Sequence, residues 1–250
     1  MTTRKTVLIT GASAGIGAAT ARLLARHGYD IGIGYNSDRA GAETVAADVE
    51  AAGGKAVLLQ SNLADTAGIE HMFSEFDAAF PHLDALVNNA GIVAPKARVE
   101  DMDADRLHRI FQINVIGAFL VARLAVRRMS TRFGGHGGAI VNMSSAAARI
   151  ASPNQYVDYA ASKAAIDTLT RGLAEEVAPD GIRVNAVRPG IIETDIHAKG
   201  GEPDRTARLG PTVPMRRSGS AHEVAEAVHW LLSDAASYVT GSFIDVSGGR

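Results

Sequence analysis

Thr6-Val7-Leu8-Ile9-Thr10 is an apolar β-type run that passes without a spacer into Gly11-Ala12-Ser13-Ala14-Gly15-Ile16-Gly17, after which Leu23, Leu24 and His27 continue a helical pattern. Strand, glycine turn and helix in that order make a phosphate cradle. Glycine lets the backbone turn tightly and approach a pyrophosphate, whose charge is held by the free N–H groups and the positive dipole end of the helix. Gly11, Ser13, Gly15, Ile16 and Gly17 are the candidate cradle residues. Their spacing is Gly-x-x-x-Gly-x-Gly, not the commoner Gly-x-Gly-x-x-Gly. Gly32-Ile33-Gly34, inside the next apolar run, reads as packing rather than ligand contact.

Outward from this turn, strand and helix patterns alternate along the whole sequence. Strands are expected near residues 6–10, 30–35, 56–60, 85–88, 138–143, 182–188 and 243–246. Alternation of this kind demands crossovers, so the fold expected is α/β. It is a single-domain, doubly wound Rossmann fold with a seven-stranded parallel sheet, helices on both faces, and ligands at the carboxyl ends of the strands. Asp65 starts a helix whose Ile69, Met72, Phe73 and Phe76 form a core stripe. Ser220-Ala221-His222-Glu223 reads as a capping box before Val224, Val228 and Leu231.

Composition excludes several classes of function. The net charge is −2 with 46% hydrophobic residues in 250, so nothing electrostatic favours nucleic acid or an anionic membrane. No secretory h-region or apolar run of membrane-spanning length stands out. There are no cysteines, hence no disulfide or thiolate chemistry. The eight histidines lack metal-binding spacing, so no catalytic metal is expected. Among them His27 and His229 fall in helical patterns, and His197 falls in the candidate substrate loop. A cytoplasmic protein acting on a small molecule is the expectation.

Tyr159 and Lys163 lie four apart in Tyr159-Ala160-Ala161-Ser162-Lys163, which on a helix puts an ammonium one turn from a phenol. A fixed cation favours the phenolate and moves the group toward useful acid/base chemistry. Together with the glycine turn, Asn88-Asn89-Ala90-Gly91 after one strand and Ser144-Ser145 after another, this pattern resembles the short-chain dehydrogenase/reductase family over the whole chain. The sequence from Tyr156 onward is most similar to its glucose-dehydrogenase-type and 3-oxoacyl-carrier-protein-reductase-type members.

The resemblance implies a nicotinamide dinucleotide and an assignment of roles. Tyr159 would be the proton donor, Ser145 the group polarising the carbonyl with Ser144 as its alternative, and Lys163 the cation lowering the Tyr159 pKa and holding the nicotinamide ribose. Asn114 would kink a helix and hold a proton-relay water. Asn62 and Leu63 match the adenine side, Asn89, Ala90 and Gly91 the next loop, and Pro189, Gly190, Ile192 and Thr194 the nicotinamide and diphosphate segment. Tyr35 occupies the position where an acidic residue would select NAD. With no carboxylate there, and with Asn36, Ser37 and Arg39 as donors, NADP is the expected cofactor and NAD the alternative. Arg39 reads equally as a solvated residue of the following helix, and Asp38 as its N-cap.

The expected activity is interconversion of a secondary alcohol, or a sugar lactol, with its carbonyl. Reduction of a carrier-bound 3-oxoacyl thioester is the alternative, with Arg123, Arg127, Arg128, Arg132 and Arg149 as a docking patch; a non-catalytic dinucleotide sensor is the reading from another class. The substrate loop spans about 195–217 and has few apolar anchors, which predicts mobility without ligand. Helices from Asp103 to about Arg132 and from Tyr156 to Ala178 carry apolar residues on more than one face, among them Phe119, Val126, Ala164, Leu169 and Leu173. In relatives such helices pair across a two-fold axis, which implies a homotetramer.

Overall fold

Residues on β1 (Lys5–Ile9) alternate between two apolar layers: Val7 and Ile9 belong to one, Leu8 to the other, and all three are fully buried. A strand buried on both faces needs cover on both sides. The computed structural model describes residues 4–194 and 196–250, apart from the side chains of His197 and Lys199; Asp195 and the His197 imidazole therefore lie outside the described residues.

In chain order, α1 (Gly15–Arg26), β2 (Tyr29–Tyr35), α2 (Arg39–Ala51), β3 (Ala56–Gln60), α3 (Thr66–Ala79) and β4 (Ala85–Asn88) make the first half. The helices α4 (Ala104–Phe111) and α5 (Ala118–Met129) follow, joined by a π-helical turn, Gln112–Gly117. Then come β5 (Gly138–Met143), α6 (Ala147–Ile150), α7 (Val157–Val177), β6 (Ile182–Pro189), β7 (Ile192–Glu193), α8 (Ile196–Lys199), α9 (Arg205–Leu209), β8 (Gly219–Ser220), α10 (Ala221–Leu232) and β9 (Phe243–Val246).

Seven strands form one parallel sheet in the order β3-β2-β1-β4-β5-β6-β9. Winding goes outward from β1 in one direction and from β4 in the other, so the crevice between their carboxyl ends is the topological switch point. Ile9 lies beside Ile33 and Val87 in register, which brings three strand ends level there. On one face α1, α2 and α10 supply Leu24, Val45 and Val228; on the other α3, α5 and α7 supply Phe73, Val121 and Val177.

Helix starts follow local chemistry. Asp38 accepts from the Gly41 N–H, Asp65 from those of Ala67 and Gly68, and Ser220 and Glu223 close a reciprocal capping box. Gly32 packs as expected, since a Cβ there would stand 2.8 Å from the Phe76 ring, whereas Gly34, also read as packing, lines the cavity at the end of β2.

Three features depart from the sequence reading. β7 and β8 form a small separate sheet. The helix expected from Asp103 to about Arg132 is interrupted by the π-helical turn and ends at Met129, because Ser130 turns extended. The stretch Ala104–Met129 also has the length and hydropathy of a membrane span, with a mean of 1.6 over its best window. Val121, Ala125 and Met129 in it are nonetheless fully buried against the sheet, as core residues are.

Candidate active site

The cradle forms as its glycines require. Gly11 and Gly15 have φ of +66° and +56°, open to glycine at little cost. α1 begins at Ala14 with no side-chain cap and no acid in its first turn, so its first N–H groups are left for an anion. Asn89 braces the turn by donating to the carbonyls of Thr10 (2.8 Å) and Gly11 (3.1 Å), while Thr10 Oγ1 accepts from the N–H groups of Asn89 and Ala90. Gly17 does not face the cavity. Its role is close packing, because a Cβ there would lie 2.3 Å from the Gly11 carbonyl oxygen. Thr194 reaches back over Gly15 from the far side.

These residues line one cavity of about 560 Å³ that runs across the carboxyl ends of the sheet. Tyr35, Asn36, Ser37, Asn62 and Leu63 line its end beside β2, Ala90 and Gly91 its middle, and Pro189, Gly190 and Ile192 the far wall. Arg39 lies outside the lining: it is exposed, its Nε donates to Glu43 at 2.8 Å, and it interacts with the Tyr35 hydroxyl. Sequence reasoning left out Ser61, Ile92 and Val93, which nothing in their local pattern marks, and read Asp38 only as an N-cap; all four are in the lining.

At the reacting end the two adjacent serines part company. Ser144 is buried, its Oγ donating to Asp167 Oδ1 at 2.6 Å; Asp167 in turn is paired with Arg188 at 2.8 Å. Ser145 is only partly buried, accepts from the Ala147 N–H, and shares a hydrogen bond with the Tyr159 phenol. Burial pushes the Tyr159 phenol above its ordinary value, and the Ser145 hydroxyl pulls the other way.

Lys163 follows Tyr159 by one turn of α7. Its ammonium is buried, lies 5.7 Å from the Tyr159 ring centroid and donates to the Met143 carbonyl at 2.8 Å, and burial brings its own pKa down to about 8. Asn114 sits in the π-helical turn behind the cavity wall. Its carbonyl accepts from Ile92 N–H (2.8 Å), and its amide donates to Ile92 O (2.9 Å) and Ser162 Oγ (3.1 Å). It holds the 91–93 loop. A Cβ on Gly91 would stand 3.3 Å from both Asn114 Oδ1 and Lys163 Nζ, which shows how closely the three converge.

The 195–217 loop is anchored by charge as well as by Val213, which is buried against Gly248. Glu202, 6% exposed, accepts from Tyr156, Arg205, Arg208 and Lys96. Burial alone would raise its carboxyl; Tyr156 and Arg205 outweigh that and hold it at about 2. Burial and the same partnership push the Tyr156 hydroxyl up to about 12, which leaves it protonated and committed to Glu202. The candidate docking arginines are dispersed: Arg123 pairs with Glu70, Arg128 with Asp77 and Arg149 with Asp245. Arg127, Arg128 and Arg132 lie where α5 feeds the amino end of β5, away from the cavity.

The sequence pattern of a family described as Enoyl-(Acyl carrier protein) reductase matches residues 11–250. The uncharacterized oxidoreductase YgfF of Escherichia coli (strain K12) is 54% identical, over 97% of this chain and 98% of its own. The crystal structure of 3-ketoacyl-(acyl-carrier-protein) reductase from Brucella melitensis complexed with NADH superposes with a TM-score of 0.90 at 32% identity, covering 98% of each chain. A short chain dehydrogenase from Burkholderia cenocepacia J2315 in complex with NADP gives 0.88 at 33% identity, over 98% of this chain and 97% of its own. With a cradle, a cavity and a reacting end in these positions, the chain belongs to the short-chain dehydrogenase/reductase family and is a nicotinamide-dependent oxidoreductase acting on CH–OH groups.

Proposed function

We propose that the protein interconverts a secondary alcohol, or a sugar lactol, and the corresponding carbonyl, with NADP as its cofactor. The observation that carries the reading is the convergence of the Ser145 hydroxyl and the Tyr159 phenol on one cavity wall, with the Lys163 ammonium buried behind them. The dinucleotide, when bound, supplies or accepts the hydride. Tyr159 gives its phenolic proton to the alkoxide oxygen that develops, and Ser145 donates a hydrogen bond to the same oxygen. Of the two serines, only Ser145 has a hydroxyl not already given to a carboxylate. Lys163 holds positive charge beside the phenol, and Asn114 fixes the loop against which the nicotinamide end rests.

NADP is favoured because no Asp or Glu ends β2, Tyr35, Asn36 and Ser37 present polar groups to the cavity there, and Asp38, also in the lining, is engaged as the N-cap of α2. An assembly of four copies is supported by Leu107, Ile116 and Phe119, exposed on α4, the π-helical turn and α5 respectively. Zero cysteines and a diffusible dinucleotide fit residence in the cytoplasm. The carrier-protein alternative is disfavoured, since most of its docking arginines are paired and several face the other end of the sheet. The test is a screen of purified protein with NADPH and NADH against ketones, aldoses and acetoacetyl thioesters. Turnover of ketones or sugars is expected; turnover of thioesters alone would replace this reading with the carrier-linked one.

A further inference from the structure

Beyond Tyr159 the cavity wall carries Tyr156, Ile196, Gly200, Arg205 and Arg250, and no aspartate or glutamate among the described residues at that end. Arg205 is unusual there. Only 11% of its side chain is exposed, and it stacks on the Tyr156 ring at 5.0 Å. Its Nη1 is spent on Glu202 Oε2 at 2.5 Å and Gln155 Oε1 at 2.9 Å. Its Nε and Nη2 make no hydrogen bond among the described residues, and neither is sealed from solvent.

Nε and Nη2 form the edge of a guanidinium that a carboxylate takes side-on through two parallel hydrogen bonds. Glu202 has no capacity left to fill it. One of its oxygens accepts from Tyr156 and Arg205, the other from Arg208 and Lys96. Around this one buried anion stand three cations, with Asp204 3.9 Å from Arg208. Of the three only Arg205 lines the cavity, held rigidly with one edge that has no partner among the described residues. Tyr156, the N-cap of α7, and Tyr159, in its first turn, line the same cavity as Arg205, so one small molecule in it meets both the phenol and the guanidinium edge.

We infer that Arg205 is a specificity residue that takes the carboxylate of a hydroxy-acid or oxo-acid substrate while the carbinol or carbonyl carbon sits at Tyr159. This rests on the alcohol–carbonyl reading above. A planar two-oxygen anion is the match, because one fork edge is free, not a ring of donors such as a phosphate fills.

The test uses the cofactor-loaded protein and calorimetric titration with 3-hydroxybutyrate, 4-hydroxypentanoate and their methyl esters, with glycerol phosphate as a third arm. At least one acid is expected to bind about 10-fold more tightly than its ester, in keeping with loss of a buried charge partner. Arg205→Gln should bring that ratio to near one. Arg205→Lys keeps a cation for Glu202 and controls for folding; it should lose at least about threefold of the ratio, since a point charge cannot reproduce the fork. No measurable binding of any acid, equal binding of acid and ester by the native protein, or a native ratio surviving in Arg205→Gln would overturn the assignment. Glycerol phosphate binding more tightly than every acid would also overturn it. The underlying reading stands separately on turnover of neutral ketones and its loss in Tyr159→Phe.

Discussion

The Lys163 ammonium donates to the Met143 carbonyl at 2.8 Å, so the last residue of β5 and the second turn of α7 are tied by a buried cation. The tie has an electrostatic cost. Burial brings the lysine to about 8, against 10.5 for a free side chain. Below about pH 8 it is charged in both folded and unfolded protein. Between about 8 and 10.5 the folded protein releases the proton first, so the native chain gains stability with rising pH across that window, by an amount on the order of 3 kcal/mol.

Lys163→Met is therefore expected to be more stable than the native protein at pH 7 and to lose that advantage by pH 10, while losing activity. Urea midpoints of both proteins without cofactor at pH 7, 9 and 10 measure it. A stability difference that does not change with pH would show that the lysine carries no such penalty.

Tyr159→Phe keeps the ring and removes the proton. Turnover should fall at least ~100-fold with little change in cofactor affinity. Near-native turnover on a substrate the native enzyme uses would refute the assignment of the acid.

Cofactor choice should respond to one position. NADPH is expected to bind more tightly than NADH, and Tyr35→Asp, which sets a carboxylate against the 2′-phosphate, should reverse the preference by about tenfold or more. Nicotinamide fluorescence titration decides it, and tighter native binding of NADH would dispose of the NADP reading.

Removing the charge at the centre of the loop anchor should free the loop. Glu202→Gln leaves Arg205, Arg208 and Lys96 without their shared anion, so amides of residues 202–212 should exchange faster and KM should rise more than kcat falls. Equal protection in the native and variant proteins would mean the loop is held by something else.

Light scattering across a dilution series should report four copies of the 26.1 kDa chain, and Phe119→Asp should shift the population to smaller species. Phe119 is 47% exposed in the single chain, so the substitution spares the core. A stable, active monomer at all concentrations would exclude the tetramer.

The sheet was readable because each of its strands announces itself locally. Thr6 to Ile9 or Ile140 to Met143 are apolar runs ended by glycine, asparagine or serine, and buried parallel strands need nothing subtler. β7 and β8 were not readable, since two residues each carry no periodicity and their pairing spans 27 positions of chain. The site divides the same way. The glycine turn and the Tyr159–Lys163 pair are short-range patterns. The commitments of Ser144 to Asp167 and of Glu202 to Tyr156 are choices among partners that only the folded chain brings together. For the same reason composition alone gave the loop few anchors: beside Val213 it is held by one glutamate, and a glutamate in a loop ordinarily reads as solvated.

The π-helical turn at Gln112–Gly117 accommodates one residue more than an ordinary helical turn would. Such a surplus is absorbed where it occurs, so shortening the chain by one there would leave α4 and α5 continuous and facing the same neighbours. Asn114 lies within that turn and holds Ile92 and Ser162 from it. A chain one residue shorter there would be the more regular and is expected to lose that hold on the cavity wall.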